Sequence, residues 1–231
     1  MIRKIYQSLV GGLNYLTLCC RPDIAYSVCV LAQKASAPTM SDLSNARRVL
    51  LYLKKTKNYG INFSRSSLHD VQLKIYVDSS FANGPNRRSI NGYIILVNDN
   101  VIHWKTKISP MVYQSTTEAE FVAVALMLKD VEWVHNILSE IGINISLSVV
   151  FCDNQGAIKI FRASSSTART KHLDYRLQYI KDLFNQGKYT LKYVTSEDNI
   201  ADIFTKPLGR LHFNKVLNKI MTNLSNKHSK E

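Results

Sequence analysis

The chain has 231 residues, of which 45% are hydrophobic and 20% charged, and its formal net charge is +13. That length and apolar content suit one large domain, or one domain with an appendage, and exclude a disordered chain. No apolar run reaches the length of a membrane span, and MIRKIYQSLVGGLNYLTLCC lacks a secretory cleavage pattern. Cys19, Cys20, Cys29 and Cys152 show neither metal-ligand nor disulfide-framework spacing, which reads as a reducing, intracellular setting, cytoplasmic or else a particle or the nucleus, and the lack of an apolar span leaves no membrane partner.

The charge is unevenly spread. Residues 1–69 carry 10 Lys and Arg against 2 Asp and Glu, residues 70–208 carry 15 against 14, and residues 209–231 carry 5 against 1. Basic flanks about a near-neutral centre suit a polyanion gripped along its backbone, although charge of this kind also serves plain solubility.

From the N-terminus, apolar residues recur at helical spacing through YQSLVGGLNYLTLCC and again from Ile24 to Ala35, with Pro22 in the first turn of the second helix. The stretch from Pro38 to Asp42 opens a third helix that sets Leu43, Ala46, Val49, Leu50 and Leu53 on one face. Arg47, Arg48, Lys54, Lys55 and Lys57 line its opposite side, as either a solvated face or a nucleic-acid contact, and Tyr59-Gly60 ends it. Near residue 70 the period changes to two. Leu73, Ile75 and Val77 alternate as a strand with Asp78 at its end, and GYIILVNDNVIHWK predicts a hairpin turning at Asn98-Asp99-Asn100. A long helix from about Glu118 to Ile141 stops at Gly142; SLSVVFCD then reads as a short buried strand and GAIKIFR as a short helix. Residues 169–185 are predicted helical, with Leu173, Leu177, Ile180, Leu183 and Phe184 inward. YTLKYVTS forms the last strand, NIADIFTKPL a last helix closed by Pro207, and NKIMTNLSNKHSKE is expected to fray. This order predicts an α/β fold, a mixed sheet with helices packed on it.

Four acids stand at the junctions. Asp78 and Asp153 close strands, while Glu120 and Asp202 lie at or near the starts of helical patterns. Each has a local explanation: Asp78 as a turn former, Glu120 as capping-box partner of Thr117, Asp153 as a helix cap, Asp202 as ion-pair partner of Lys206 one turn later. A shared task explains all four at once. Converging carboxylates repel and need neutralising, and hard cations bound through oxygen do this best. That is the donor set of a two-metal phosphodiester site.

In order along the chain, YVDSSFA, RRSINGYIILVNDNVIHWKTK, STTEAEFVA, CDNQGAI, ARTKHLDYRLQYIKD and SEDNIADIFTKPL resemble the ribonuclease H domain of Ty1/copia-type retrotransposon Pol polyproteins. Upstream, YQSLVGGLNYLTLCCRPDIAYSVCVLAQ and ARRVLLYLKKTKNYGINF resemble the reverse transcriptase thumb and connection that precede that domain. The resemblance covers about residues 5–210. It implies a ribonuclease H-like mixed five-stranded sheet flanked by helices and preceded by a small helical subdomain. The divisions are a thumb/connection-like segment over 1–69, the ribonuclease H-like domain over 70–210 and a basic C-terminal tail over 211–231. The implied activity is endonucleolytic hydrolysis of the RNA strand of RNA–DNA hybrids, leaving 3′-hydroxyl and 5′-phosphate ends. The implied partners are the hybrid and the polymerase part of the reverse transcriptase in the parent polyprotein.

Matched motif by motif, the resemblance makes Asp78, Glu120, Asp153 and Asp202 the catalytic and metal-binding residues. They would hold two Mg²⁺ ions, with Mn²⁺ as a substitute, about 3.5–4 Å apart. Glu120 is chosen over Glu118 because the family's glutamate directly precedes the large apolar residue, here Phe121. Asp78 would bridge both ions, Asp202 would help hold the water-activating ion, and Glu120 and Asp153 the ion on the leaving oxygen. Ser115, Thr116, Asn154 and Gln155 are candidates for contact with 2′-hydroxyls across a minor groove. Arg169, Lys171 and His172 are candidates for the DNA strand's phosphates, or else an ordinary charged helix N-terminus.

The chain also departs from the pattern. Loop 195–199 has no histidine where cellular and retroviral relatives usually carry one and copia-type sequences commonly lack it, which leaves proton relay and product release without an obvious residue and Glu197 only a candidate, and Phe81 stands where a tryptophan is frequent. Tyr76-Val77-Asp78-Ser79 lacks the second Asp of a polymerase motif, and fingers and palm have no counterpart, so the chain reads as a Pol fragment or truncated copy without polymerase activity of its own. The leading rival is a catalytically inactive nucleic-acid-binding remnant. A transposase or integrase of this fold places its glutamate last, unlike Glu120, and an ATPase of this fold needs glycine-rich phosphate loops, which the sequence lacks.

Overall fold

The computed structural model describes residues 2–65, 71–146, 148–162, 180 and 182–226. Helical periodicity near the N-terminus produces α1 (Ile2–Cys19), α2 (Ala25–Ala32) and α3 (Met40–Lys55). Pro22 opens a 3-10 turn, Pro22–Ile24, that leads into α2, and Thr39 caps α3 in a reciprocal box with Asp42. Tyr6, Leu13, Val28, Leu43, Ala46 and Leu53 belong to a core shared by these helices. Leu50, expected on the same face, is 48% exposed, because the neighbouring helices cover only the side bearing Leu43, Ala46 and Leu53.

A buried ion pair ties the break after α1 to the end of α3. Arg21 donates to both oxygens of Asp23, from Nε at 2.9 Å and Nη2 at 2.6 Å. It also donates to the Thr56 carbonyl at 3.1 Å, and the Tyr52 hydroxyl donates to Asp23 Oδ2 at 2.7 Å.

Beyond the short strand β1 (Tyr59–Gly60), alternation builds β2 (Leu73–Ser80), β3 (Ile90–Val97) and β4 (Asn100–Ile108). The β3–β4 hairpin turns where predicted. Asn98 and Asp99 take φ of 46° and 66°, the left-handed pair that a two-residue turn of matching twist requires. Then come α4 (Thr116–Glu140), β5 (Ser148–Cys152), α5 (Gln155–Arg162) and β6 (Tyr189–Tyr193). The five strands lie in the order β4-β3-β2-β5-β6, antiparallel from β4 to β2 and parallel from β2 to β6. On one face, Leu73, Ile75 and Val77 pack under Phe121, Val124 and Leu128 of α4. On the other, Ile94, Leu96 and Val101 meet Ile203, Phe204 and Val216, with Ala25 of α2 in the same cluster. Of the helix predicted over 169–185, residues 182–185 are helical, Ile180 and Leu183 are buried, and Leu173 and Leu177 lie outside the described residues.

Two expectations for the C-terminal part are corrected. NIADIFTKPL forms a 3-10 helix, Ile200–Phe204, rather than an α-helix, since Asn199 caps it and Pro207 cuts it short. Of the segment expected to fray, residues 218–226 are instead built onto the sheet's second face, and 227–231 lie outside the described residues. Helix α6 (Arg210–Ile220) buries Val216, Leu217 and Ile220, and β7 (Thr222–Asn223) pairs antiparallel with β1. Among the described residues, no helix is long and apolar enough to cross a membrane.

Replacing Asp23 by Ala strands a buried guanidinium, so Asp23→Ala is expected to lower stability by about 3–5 kcal/mol in urea unfolding. The double change Arg21→Met, Asp23→Leu should recover most of that. A single-variant loss under about 1 kcal/mol would mean the pair is solvated after all.

Candidate active site

Asp78 comes from the C-terminal end of β2 and Asp153 from the residue after β5. These strands are parallel, so both ends open on one edge of the sheet, the edge where open α/β sheets place ligands. The β2–β5 register pairs Tyr76 with Phe151, and two residues further it sets Asp78 beside Asp153. The Ile200–Phe204 turn brings Asp202 over one face, and the start of α4 brings Glu120 over the other. Carboxylate oxygens of Asp78, Asp153 and Asp202 lie within 4.8 Å of one another, and Glu120, Asp153 and the Cys152 thiol meet within the same limit.

Each acid is held by a neighbour. The Ser79 N–H donates to Glu120 Oε1 at 3.1 Å, while Glu120 Oε2 is buried and has no partner among the described residues. Ser196 donates to Asp153 Oδ2 at 2.7 Å, and the Thr205 hydroxyl donates to Asp78 Oδ2. Lys206 Nζ lies 3.0 Å from Asp202 Oδ1 and 3.7 Å from Asp78 Oδ2. Two contacts seat the turn that carries Asp202, Thr205 and Lys206. Asn199 is fully buried, donating to the Val77 carbonyl at 3.0 Å and accepting from the Ala201 N–H at 3.1 Å. Gly92 pairs with Asp78 across β2–β3, and a Cβ there would come within 2.6 Å of Phe204 Cβ and 2.7 Å of Thr205 Cγ2.

Burial makes the charged forms expensive. It holds Glu120 well above the usual carboxylate range, with Asp78 and Asp153 adding to the effect. Burial also raises Asp78, against the pull of Lys206 and Thr205, and together with Asp78 it pushes Asp202 up to about 7. For Lys206, burial works against the charge, but Asp78 and Asp202 outweigh it and raise its pKa. Burial drives the Cys152 thiol far up, so it stays protonated and is no ligand for a hard ion. What remains is an all-oxygen donor set with an orphaned buried oxygen on Glu120, and this fits a hard divalent cation.

The structure thus brings Asp78, Glu120, Asp153 and Asp202 together. Ser115 and Thr116 are exposed at the start of α4, and Asn154 (half-buried) and Gln155 (exposed) stand at the start of α5. Ser115 accepts from the Glu118 N–H at 3.1 Å and Asn154 from the Ala157 N–H at 2.9 Å, so these two cap the helices, rather than Thr117 with Glu120 or Asp153. The carboxylate of Glu118 accepts from the Gln114 N–H at 2.8 Å. Arg169, Lys171 and His172 lie outside the described residues. Arg47, Arg48, Lys54, Lys55 and Lys57 are all exposed. In the 195–199 loop it is Ser196 that reaches an acid, while Glu197 is exposed. Sequence reading missed Ser196, Thr205 and Gly92. Thr205 was findable as the residue three beyond Asp202, and a glycine inside a strand can mark close backbone approach.

No protein-family model matches the chain. Its sheet order and flanking helices define a ribonuclease H-like α/β fold. Among solved structures, the foamy viral protease-reverse transcriptase dRH in complex with ds DNA is similar at a TM-score of 0.53 and 12% identity, over 84% of this chain and 32% of that one. LC11-RNase H1 in complex with RNA/DNA hybrid gives 0.46 at 15% identity, over 64% of this chain and 97% of that one. The sequence is 34% identical over 214 residues to the retrovirus-related Pol polyprotein from transposon TNT 1-94 of Nicotiana tabacum, covering 92% of this chain. It is 34% identical over 217 residues to that from transposon RE1 of Arabidopsis thaliana, covering 93%. Retrotransposon Pol polyproteins are therefore its homologues, and the chain spans 16% and 15% of the length of these two.

Gly92→Ala forces the Phe204–Thr205 backbone off β3 and is expected to cost about 1–3 kcal/mol in urea unfolding; a neutral outcome would show that the turn can shift freely. A second expectation concerns pH in EDTA. A carboxyl raised in the folded state favours folding while protonated, and this stability is lost as pH climbs from the unfolded value towards about 7 for Asp202. Asp202→Asn should therefore gain melting temperature relative to the unsubstituted protein between pH 5 and pH 8. His103 and His135, lowered by burial, act in the opposite sense but are common to both proteins and cancel in the difference. A pH-independent difference would refute the assignment.

Proposed function

We propose that this chain is a metal-dependent endonuclease that hydrolyses the RNA strand of RNA–DNA hybrids, acting as the ribonuclease H part of a retrotransposon Pol polyprotein beside its polymerase part. The observation that carries this reading is the convergence of Asp78, Asp153 and Asp202 within 4.8 Å, with Glu120 joined through Asp153. Homology to Pol polyproteins over nearly the whole chain supports it.

Asp78, Glu120, Asp153 and Asp202 would hold two divalent ions, Mg²⁺ or in its place Mn²⁺, whose chemistry is water activation and charge stabilisation at a phosphodiester. The chain's own groups prepare that site. Thr205 fixes the Asp78 carboxylate, the Ser79 amide fixes Glu120 with its second oxygen left over, and Ser196 orients Asp153. Ser115 uses its oxygen as a cap acceptor, which leaves its hydroxyl hydrogen to donate to a 2′-hydroxyl. Exposed Arg47, Arg48, Lys54, Lys55 and Lys57 suit backbone phosphates further along the duplex.

Incubating the protein with Mg²⁺ or Mn²⁺ and a labelled RNA–DNA hybrid, beside double-stranded RNA, tests this. The hybrid's RNA alone should be cut, and Asp78→Asn should abolish cutting. Hybrid binding without cleavage in either metal would refute the enzyme and favour a binding remnant.

A further inference from the structure

We propose that Lys206 is a tethered counter-ion seated between Asp78 and Asp202, and that a divalent ion reaches this pair only by displacing its ammonium. This rests on the metal-dependent reading above and adds an order of events to it. Among the described residues, Lys206 is the basic side chain paired with these two acids, at 3.0 Å from Asp202 Oδ1 and 3.7 Å from Asp78 Oδ2. The ammonium therefore sits closer to Asp202 than to Asp78 and is held by the charge of both.

Exposure decides which partner can leave. The Lys206 side chain is 33% exposed, whereas those of Asp78 and Asp202 are 4% and 3% exposed. The Lys206 N–H is bonded to the Asp202 carbonyl at 3.2 Å, so the stem stays put while the flexible end can swing to solvent. The acids cannot follow, because the Asn199 contact with β2 and the Thr205 contact with Asp78 hold them. On the other side of the cluster, Glu120 Oε2 is buried with no hydrogen-bond partner, and no ion pair to Glu120 is formed, among the described residues. The two halves therefore differ: the Glu120–Asp153 half is open to a cation, and the Asp78–Asp202 half is already balanced by one.

Calorimetric titration of the full chain with Mn²⁺ tests this, using the unsubstituted protein, Lys206→Met and Lys206→Arg, together with melting in EDTA. Lys206→Met should bind its weaker ion about tenfold more tightly, melt lower in EDTA, and gain more from Mn²⁺. Lys206→Arg keeps the charge and should bind no more tightly than the unsubstituted protein. Unchanged or weaker binding by Lys206→Met overturns the displacement while leaving the metal site standing. No Mn²⁺ binding by any of the three removes the metal site, and the displacement with it. If Lys206→Met does not fold, the side-chain ammonium signals of the unsubstituted protein, followed by nuclear magnetic resonance through a Mg²⁺ titration, decide the matter. A signal moving to the position of a free lysine supports displacement, and unmoved signals at saturation overturn it.

Discussion

The 200–204 turn can lie against the sheet because position 92 has no side chain, and most of the site follows from that approach. Gly92 sits directly across from Asp78, and Phe204 Cβ and Thr205 Cγ2 fill the space where its Cβ would be. Once the turn is seated, Asn199 locks it to the β2 carbonyl at Val77, and Thr205 and Lys206 come to Asp78. Asp202, Thr205 and Lys206 are placed together as one unit. A densely packed interior transmits such a constraint, so a strand glycine governs the placing of a carboxylate cluster to which its side of the ladder contributes only backbone.

That cluster is electrostatically unfavourable by itself. Three of its acids are nearly inaccessible to water, and the charge of each disfavours the charge of the others. The protein answers with neutral donors, the Ser79 amide and the hydroxyls of Ser196 and Thr205, and with one ammonium. Neutral donors orient a carboxylate without cancelling its charge. The surplus of negative charge that remains makes the site receptive to hard cations, whereas a fully compensated ion-pair network would have no such appetite.

Much of this was legible in the amino-acid order because it depends on local period and turn chemistry. Alternation marked β2, the Asn98-Asp99 pair marked the hairpin, Gly142 marked the end of α4, and the acids fell where strands end. What stayed hidden depends on partners distant in sequence. Leu50 has the right spacing for the buried face of α3, yet among the described residues it is left 48% exposed. Ile200–Phe204 carries helical spacing, yet tightens into a 3-10 turn against β3. Val216, Leu217 and Ile220 form a short apolar stripe among lysines and asparagines, and only the sheet's second face makes it a core element. The caps offered as local explanations were off by two residues at one helix and one at the other, within the ordinary uncertainty of a boundary, and the true caps Ser115 and Asn154 leave Glu120 and Asp153 without that role.

The pairing of β7 with β1 has a consequence for how the molecule assembles. Asn58 and Ser225 are hydrogen-bonded across 167 positions of sequence, and the two-stranded ladder between them lies at the exit from the helical segment. All five strands of the sheet lie inside the loop that this contact closes. Closing it early would cost much chain entropy for a few backbone hydrogen bonds, so the ladder is a late event in folding, made once the sheet has drawn its ends together. The helical segment and the sheet have cores of their own, and the clasp joins Ala25 in the second-face core and the Trp104–Thr17 hydrogen bond in holding the two together.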